Sequence, residues 1–151
     1  MSGDTDPVRG HSGEKATHRL DQERLARIRR FATSPPEVAS RHLYDLDKTW
    51  DIERKLEANA ATIMLLSTAL AATRSKRWLL LSAVVPGFLL QHAIQGWCPP
   101  IEAFRRLGAR SRNEIDAERT AIKALRGDFA DLPDPSAPQA AEQALRAAGR
   151  R

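Results

Sequence analysis

The pattern of charged and apolar positions divides the chain into an apolar middle and two polar flanks. No Asp, Glu, Lys or Arg occurs between Arg77 and Glu102. A second uncharged stretch, residues 58–73, lies just upstream, and only the basic residues 74–77 separate the two. As a helix, the longer stretch extends over ~36 Å and exceeds the ~30 Å hydrocarbon core of a bilayer. The pattern therefore predicts a helical hairpin apolar enough to cross a membrane.

The N-terminal flank combines a start rich in helix breakers with a basic helical pattern. Residues 1–14 are rich in Gly, Ser, Asp and Pro, which is typical of disorder. Residues 15–49 contain helix formers and many arginines, interrupted by Pro35 and Pro36, of which Pro36 can open a new helix. We expect a disordered N-terminus at residues 1–14 and a polar, basic helical flank at residues 15–49.

The C-terminal flank contains a helix with start and stop signals. Ser111 and Glu114 have the spacing of a capping box, and Gly127 is a typical helix stop. We expect a capped amphipathic helix at residues 109–127. Residues 128–151 are rich in Pro and Ala and predict a tail without stable structure.

Composition shows that the apolar signal is local. The net charge is +5, the mean hydropathy is −0.46 and only 5% of residues are aromatic. Because the large apolar residues cluster in the middle of the chain, a water-soluble core of ordinary size is difficult to build. The single cysteine excludes an internal disulfide. The expected fold is all-α: a transmembrane helical hairpin at residues 50–108, with short amphipathic or juxtamembrane helices and disordered termini.

The three tryptophans support a membrane as the solvent of this hairpin. Trp50 precedes the first apolar segment, Trp78 opens the second and Trp97 closes it. Indole rings favour the headgroup level, where the ring is half buried and its N–H can find a polar acceptor. We therefore predict these residues as membrane-interface anchors. Their alternative role is to fill a soluble core.

Polar residues within the two segments predict contacts between the helices. If the turn is centred in residues 74–77, Asn59 lies level with His92, and Gln91 and Gln95 lie within one turn of it. A hydrogen bond across the helices would remove the cost of an unpaired amide or imidazole in lipid. We expect Asn59 to pair with His92 or Gln95, and we expect His92 to be a structural histidine.

Basic residues near the segment ends predict the orientation. Lysine and arginine resist translocation, so the side with more of them stays in the cytoplasm. The short loop offers Arg74, Lys76 and Arg77. The flanks offer Lys48, Arg54, Lys55, Arg105, Arg106, Arg110 and Arg112. This imbalance predicts that both termini are cytoplasmic.

Residues 50–108 contain a motif that runs from a Leu-Leu-Gln sequence through a Gly-aromatic-Cys-Pro exit to a basic Leu-Gly end. Its positions are Leu89, Leu90, Gln91, Gly96, Trp97, Cys98, Pro99, Arg105, Arg106, Leu107 and Gly108. Through this motif the segment resembles the YgaP-like inner-membrane domain, a two-helix transmembrane hairpin of bacteria. Members of that family can be fused to a rhodanese sulfurtransferase domain. Nothing in residues 1–49 could form one, so the resemblance implies no catalytic residue here.

Cys98 is the candidate reactive thiol of the chain. It stands at the start of a predicted short helix, whose N-terminal dipole favours a thiolate. The more common role is structural, with Cys98 and Pro99 ending one helix and directing the next. The sequence contains no Gly-rich phosphate loop, zinc-ligand spacing or nucleophile triad. We therefore expect no catalytic residue, no metal and no cofactor.

The arginine-rich segments suggest a further class of function. Arginines in residues 19–30 and 105–112 could contact nucleic-acid phosphates. Acidic residues are interleaved with them, however, and no DNA-binding motif accompanies them. Attraction of juxtamembrane arginine to anionic lipid explains the same pattern, and a solvated helix face explains residues 19–30. We expect no nucleic-acid partner.

Taken together, these patterns predict a small, non-catalytic integral protein of the bacterial inner membrane that acts as an anchor or scaffold. Its expected partners are the lipid bilayer with its anionic headgroups, a second copy in a homodimer, and a protein that the sequence does not identify. Two alternatives stay open. One is a soluble helical oligomer that buries the hairpin in a self-association interface, and the other is a thiol- or sulfur-handling accessory protein acting through Cys98.

Overall fold

The computed structural model describes residues 6–149, and these contain helices and no strands. The all-α prediction is therefore confirmed for this part of the chain. The helices are α1 (Pro7–Gly10), α2 (Glu14–Ala32), α3 (Pro36–Lys48), α4 (Ile52–Thr73), α5 (Trp78–Gln95), α6 (Pro99–Arg106), α7 (Arg112–Arg126) and α8 (Ala140–Gly149).

The chain divides into two compact units. The first, which we call the apolar unit, comprises Met1–Leu20 and Trp50–Arg112. The second, which we call the polar unit, comprises Asp21–Thr49 and Asn113–Arg151. The apolar unit therefore contains α1, α4, α5 and α6, and the polar unit contains α3, α8 and nearly all of α7. Helix α2 begins in the apolar unit and ends in the polar unit.

In the apolar unit, α4 and α5 follow one another through residues 74–77 and pack together. Asp51 caps the start of α4, because its carboxylate accepts from the Arg54 amide at 2.8 Å. Helix α5 continues through Pro86 and ends at Gly96, which has a φ of 68°. Glycine suits this position because a side chain is strained at positive φ.

A small core lies where α1, α4 and α6 meet. Its buried side chains are Val8, Ile52, Leu56, Cys98, Ile101 and Ala109, with Phe104 packed against them. Asp6 is buried too: it caps α1 by accepting from the Val8 amide at 3.0 Å, and the Ser111 hydroxyl donates to its second oxygen at 2.5 Å. This core joins the N-terminal segment to the segment that leaves α6.

The predicted disorder of the termini is not confirmed. From Asp6 onward the N-terminal segment contains a capped helix with buried Val8, and α8 places Ala147 in a buried position near the C-terminus. Residues 1–5, 150 and 151 of these predicted tails lie outside the described residues. Local composition indicated disorder because it gives no information about residues far away in the chain, such as Ser111, that bind these segments.

The polar unit has a separate core. Its buried apolar residues are Ala39, Leu43, Leu46, Ile115 and Ile122, with Ile28 and Phe31 packed against them. Helix α7 begins one residue after the predicted cap Ser111 and ends just before Gly127, which has a φ of 85°. Both predicted boundaries of this helix therefore agree with the structure.

Candidate membrane-spanning surface

Helix α5 exposes an unusually large apolar surface. None of its residues is buried, although its sequence is apolar almost throughout. Leu80 is 72% exposed, Leu90 62% and Ile94 75%, and Leu65 of α4 is 73% exposed. Contiguous apolar surfaces of this kind mark membrane or protein interaction sites on folded proteins.

Two helical segments are long and apolar enough to cross a membrane. They lie within Pro36–Thr73 and Trp78–Gln95, and 17% and 0% of their apolar windows are buried. The first range includes α3 as well as α4, and its uncharged part belongs to α4. Low burial separates both segments from the core helices of soluble proteins, whose apolar faces pack against other elements.

The predicted tryptophan anchors lie at the ends of these helices. Trp50 precedes α4, Trp78 is the first residue of α5 and Trp97 follows Gly96. All three rings are exposed, and the Arg54 guanidinium lies 5.1 Å from the centre of the Trp50 ring. The sequence had left open whether these rings fill a soluble core. Their exposure agrees with the anchor interpretation.

The predicted hydrogen bond from Asn59 to His92 or Gln95 is not formed in the structure. The Asn59 amide instead donates to the Lys55 carbonyl at 2.7 Å, one turn earlier in the same helix. Gln91 and Gln95 approach one another within α5 at 3.5 Å, and the described residues provide no hydrogen-bond partner for His92 Nδ1. The prediction failed because a carbonyl four residues back is always within reach of a short polar side chain in a helix.

A different pair makes the polar contact between the helices. The hydroxyls of Thr68 in α4 and Ser82 in α5 lie 2.8 Å apart. Ser67 beside them is buried, and its hydroxyl donates to the Met64 carbonyl at 3.1 Å. The Thr68–Ser82 contact agrees with the predicted antiparallel register to within one residue. Small hydroxyl residues near the turn were the signal that sequence reasoning missed.

The exit motif after α5 is built into the core of the apolar unit. A Cβ added at Gly96 would overlap Pro7 Cβ, so the α1 segment occupies the space of a side chain there. Arg105 is fully buried, and its Nη1 donates to the Ala109 carbonyl at 3.3 Å. Arg105 is therefore a structural cation and is not presented to lipid headgroups. Leu107 of the same motif, by contrast, is exposed.

Cys98 belongs to the same core. The side chain is 4% exposed, and burial raises the pKa of its thiol. A buried, protonated thiol is less nucleophilic than an exposed one, which agrees with the structural role. Across residues 6–149, no group of three or more His, Cys, Asp or Glu side chains is arranged to hold a metal ion.

Hydrogen bonds and ion pairs fix the start of α4 to the segment after α6. The Ile52 amide donates to the Arg110 carbonyl at 2.9 Å, and Arg112 forms an ion pair with Asp51 at 2.7 Å. We call this junction, residues 51–52 and 110–112, the base of the apolar unit.

A polar cleft lies beside this base, between the start of α2 and α6. Three cations, Lys15, Arg19 and Arg106, line it together with the carboxylates of Glu14 and Glu102. A hydrogen bond from the Gly13 amide and one from Arg106 hold the pKa of Glu102 below its usual value. The cleft has the charged character expected at a lipid headgroup level.

Comparison with known proteins adds no family to this description: no protein-family model, curated protein or solved structure matches the chain. The resemblance to the YgaP-like domain therefore stays a prediction from the motif residues.

Proposed function

We propose that this protein is a small, non-catalytic integral protein of the bacterial inner membrane, in which α4 and α5 cross the bilayer as a hairpin. The observation that carries the proposal is that no residue of the apolar helix α5 is fully buried. Burying one leucine away from water is worth about 1.5–3 kcal/mol. A helix with this many exposed leucines is therefore much more stable in hydrocarbon than in water.

The backbone of α5 supports insertion, because a helix satisfies its own amides and carbonyls without water. The polar residues of α4 are supported in the same way. Asn59, Thr62 and Thr73 each donate to a carbonyl four residues earlier, at 2.7 to 2.8 Å. These internal bonds lower the cost of inserting the shorter and more polar of the two segments.

We propose an anchoring or scaffolding role because the features that support insertion include no reactive group. The thiol of Cys98 is buried, and the polar cleft is lined by charged side chains. The proposed partners are the bilayer and its anionic headgroups, with a homodimer and a further protein partner as additional proposals. Only the motif resemblance indicates that this membrane is the bacterial inner membrane.

Membrane extraction tests the proposal. Membranes from cells that express the full chain are washed with carbonate at high pH, which removes peripheral proteins. The protein is expected in the pellet and is expected to dissolve only in detergent. Recovery of a soluble, monodisperse protein without detergent would overturn the proposal. If that protein were an oligomer, the alternative of a soluble self-associating bundle would replace it.

The orientation is proposed separately, with both termini in the cytoplasm. Arg74, Lys76 and Arg77 oppose the larger number of basic residues in the flanks, but translocating the loop moves only a few residues. The test introduces Ser75→Cys or Ser136→Cys in a Cys98→Ser background and labels intact cells with an impermeant thiol reagent. Ser75→Cys is expected to react. Labelling of Ser136→Cys alone would reverse the assigned orientation.

A further inference from the structure

An apolar cavity of about 230 Å³ lies among α4, α5 and the start of α6 in the apolar unit. Ala60 and Ile63 form its α4 wall, Phe88 and Leu89 form its α5 wall, and Phe104 of α6 closes one end. For comparison, an apolar cavity of about 150 Å³ is large enough to bind benzene. The space is therefore sufficient for a hydrocarbon ligand.

The lining offers little to a polar occupant. Asn59 is the one amide in the wall, and its nitrogen already donates to the Lys55 carbonyl at 2.7 Å. The Cys98 thiol also contributes to the wall, and burial keeps it in the neutral form. A water molecule needs two to four polar partners, which these two groups do not provide. The cavity therefore favours an apolar ligand.

The position of the cavity indicates where that ligand comes from. Ile63 is 41% and Phe88 43% exposed, so the cavity opens on the outer surface of α4 and α5. That surface is the one proposed to face hydrocarbon, and the cavity continues it inward. Leu56 lies at the same end of the cavity as Phe104, close to the charged first turn of α4, where the proposed headgroup level begins.

We propose that this cavity binds one fatty acyl chain of a bilayer phospholipid. The part of the chain nearest the headgroup contacts Leu56 and Phe104, and the following methylene groups pack between Ile63 and Phe88. If the cavity were empty, these side chains would lose dispersion contacts, whereas a flexible alkyl chain can adapt to its shape and restore them. The proposal rests on the membrane insertion proposed above.

The test uses the full chain in vesicles that contain a phospholipid with a photoreactive diazirine in one acyl chain. After irradiation, cross-linked peptides are mapped by mass spectrometry on the unmodified protein. We expect adducts on the cavity residues Ala60, Leu89 and Phe104, in addition to adducts on outer-surface residues such as Ile94. Ala60→Phe fills the cavity and is expected to reduce the cavity adducts at least tenfold, while adducts at Ile94 persist.

The matched control is Ala61→Phe, which adds the same side chain at the next position, outside the cavity lining. It is expected to leave the cavity adducts unchanged. Should Ala60→Phe fail to fold, Ala60→Leu fills less space, and the map of the unmodified protein tests the proposal without any variant.

Each alternative outcome is distinct. Adducts at Ile94 without adducts in the cavity would overturn the acyl-chain site and leave membrane insertion intact. A lack of lipid adducts everywhere, with the protein in the soluble fraction, would overturn both the site and the proposed function.

Discussion

Helices α5 and α7 reverse the usual relation between apolar sequence and burial. Helix α5 carries no Asp, Glu, Lys or Arg, and none of its residues is buried. Helix α7 is rich in charged residues, and its buried positions are Glu114, Ile115, Glu118, Ile122 and Lys123. An apolar helix whose side chains are largely exposed and a charged helix inside a core need different surroundings. The difference supports the proposed insertion of α5 in a membrane.

The polar unit satisfies its buried charges within the protein. The carboxylate of Glu118, which is fully buried, accepts from Arg27 at 2.9 and 3.1 Å and lies 3.0 Å from His42 Nε2. The His42 ring stacks on Phe31 with their centres 4.0 Å apart. Lys123 donates to the Ala148 carbonyl, and burial lowers its pKa. Each of these buried charges therefore has a protein partner.

The sharpest test of the comparison is the same substitution in both helices. Leu90 in α5 and Leu125 in α7 have similar exposures, 62% and 55%. If lipid surrounds Leu90, Leu90→Arg is expected to oppose membrane insertion by ~3 kcal/mol, because a charged group is costly in hydrocarbon. Leu125→Arg in water is expected to change stability by less than about 0.5 kcal/mol.

The ratio of inserted to non-inserted α5 in microsomes measures the first effect, and urea unfolding of the full chain in mild detergent measures the second. Equal, small effects at both positions would mean that Leu90 faces water, and the contrast between the two helices would disappear.

Loss of the buried carboxylate tests the polar unit. Glu118→Gln leaves Arg27 and His42 without their charged partner and is expected to lower the free energy of unfolding by about 2–3 kcal/mol. Glu142→Gln is the matched control, because the Glu142–Arg146 pair of α8 is mostly exposed and such pairs contribute about 0–1 kcal/mol. Hydrogen exchange of the α7 amides in the full chain measures how much each of the two variants lowers the free energy of unfolding. Similar exchange in the two variants would contradict a stabilising role for Glu118.

The exit from α5 is tested by three glycines that differ in their surroundings. Gly96→Ala adds strain at positive φ and a clash with Pro7, and we expect a loss of about 2 kcal/mol. Gly108→Ala also has a positive φ but meets no neighbouring atom, so about 1 kcal/mol is expected. Gly87→Ala has neither problem and serves as the control, because alanine in a helix interior is not destabilising relative to glycine.

The readout is the alkylation rate of buried Cys98, which reports local opening of the base of the apolar unit. Gly96→Ala is expected to raise this rate by ~30-fold, the equivalent of about 2 kcal/mol. An unchanged rate would show that the Gly96–Pro7 contact does not hold the base together.

The smallest expected effect concerns Asn59. Since its amide bonds within α4, Asn59→Leu removes no contact with α5 and is expected to change stability in detergent by less than about 0.5 kcal/mol. Thr68→Val removes the hydroxyl contact with Ser82 and is expected to cost about 0.6 kcal/mol, a typical value for interhelical bonds in membranes. A larger loss for Asn59→Leu would restore the original pairing with His92 or Gln95.

The spacing of charged and apolar residues, together with residues that begin or end helices, predicted the helices themselves. The uncharged stretches indicated α4 and α5, residues 74–77 indicated the turn between them, and Ser111 and Gly127 marked the limits of α7. The register of α4 and α5 was also accessible, because a short turn leaves little freedom in how two antiparallel helices align. The pairing of polar side chains was not accessible, because each short polar group can bond to its own helix instead.

The sequence by itself determined which segments are apolar enough to leave water and which residues begin and end the helices. These are local properties, set by side-chain polarity, capping and backbone preference. Only the tertiary structure decided that Asp6 and Val8 join the core beneath α4, that Arg105 and Glu118 are buried, and that Cys98 borders an apolar cavity. Those features depend on contacts between residues far apart in the chain, and a local pattern carries no information about partners that only folding brings together.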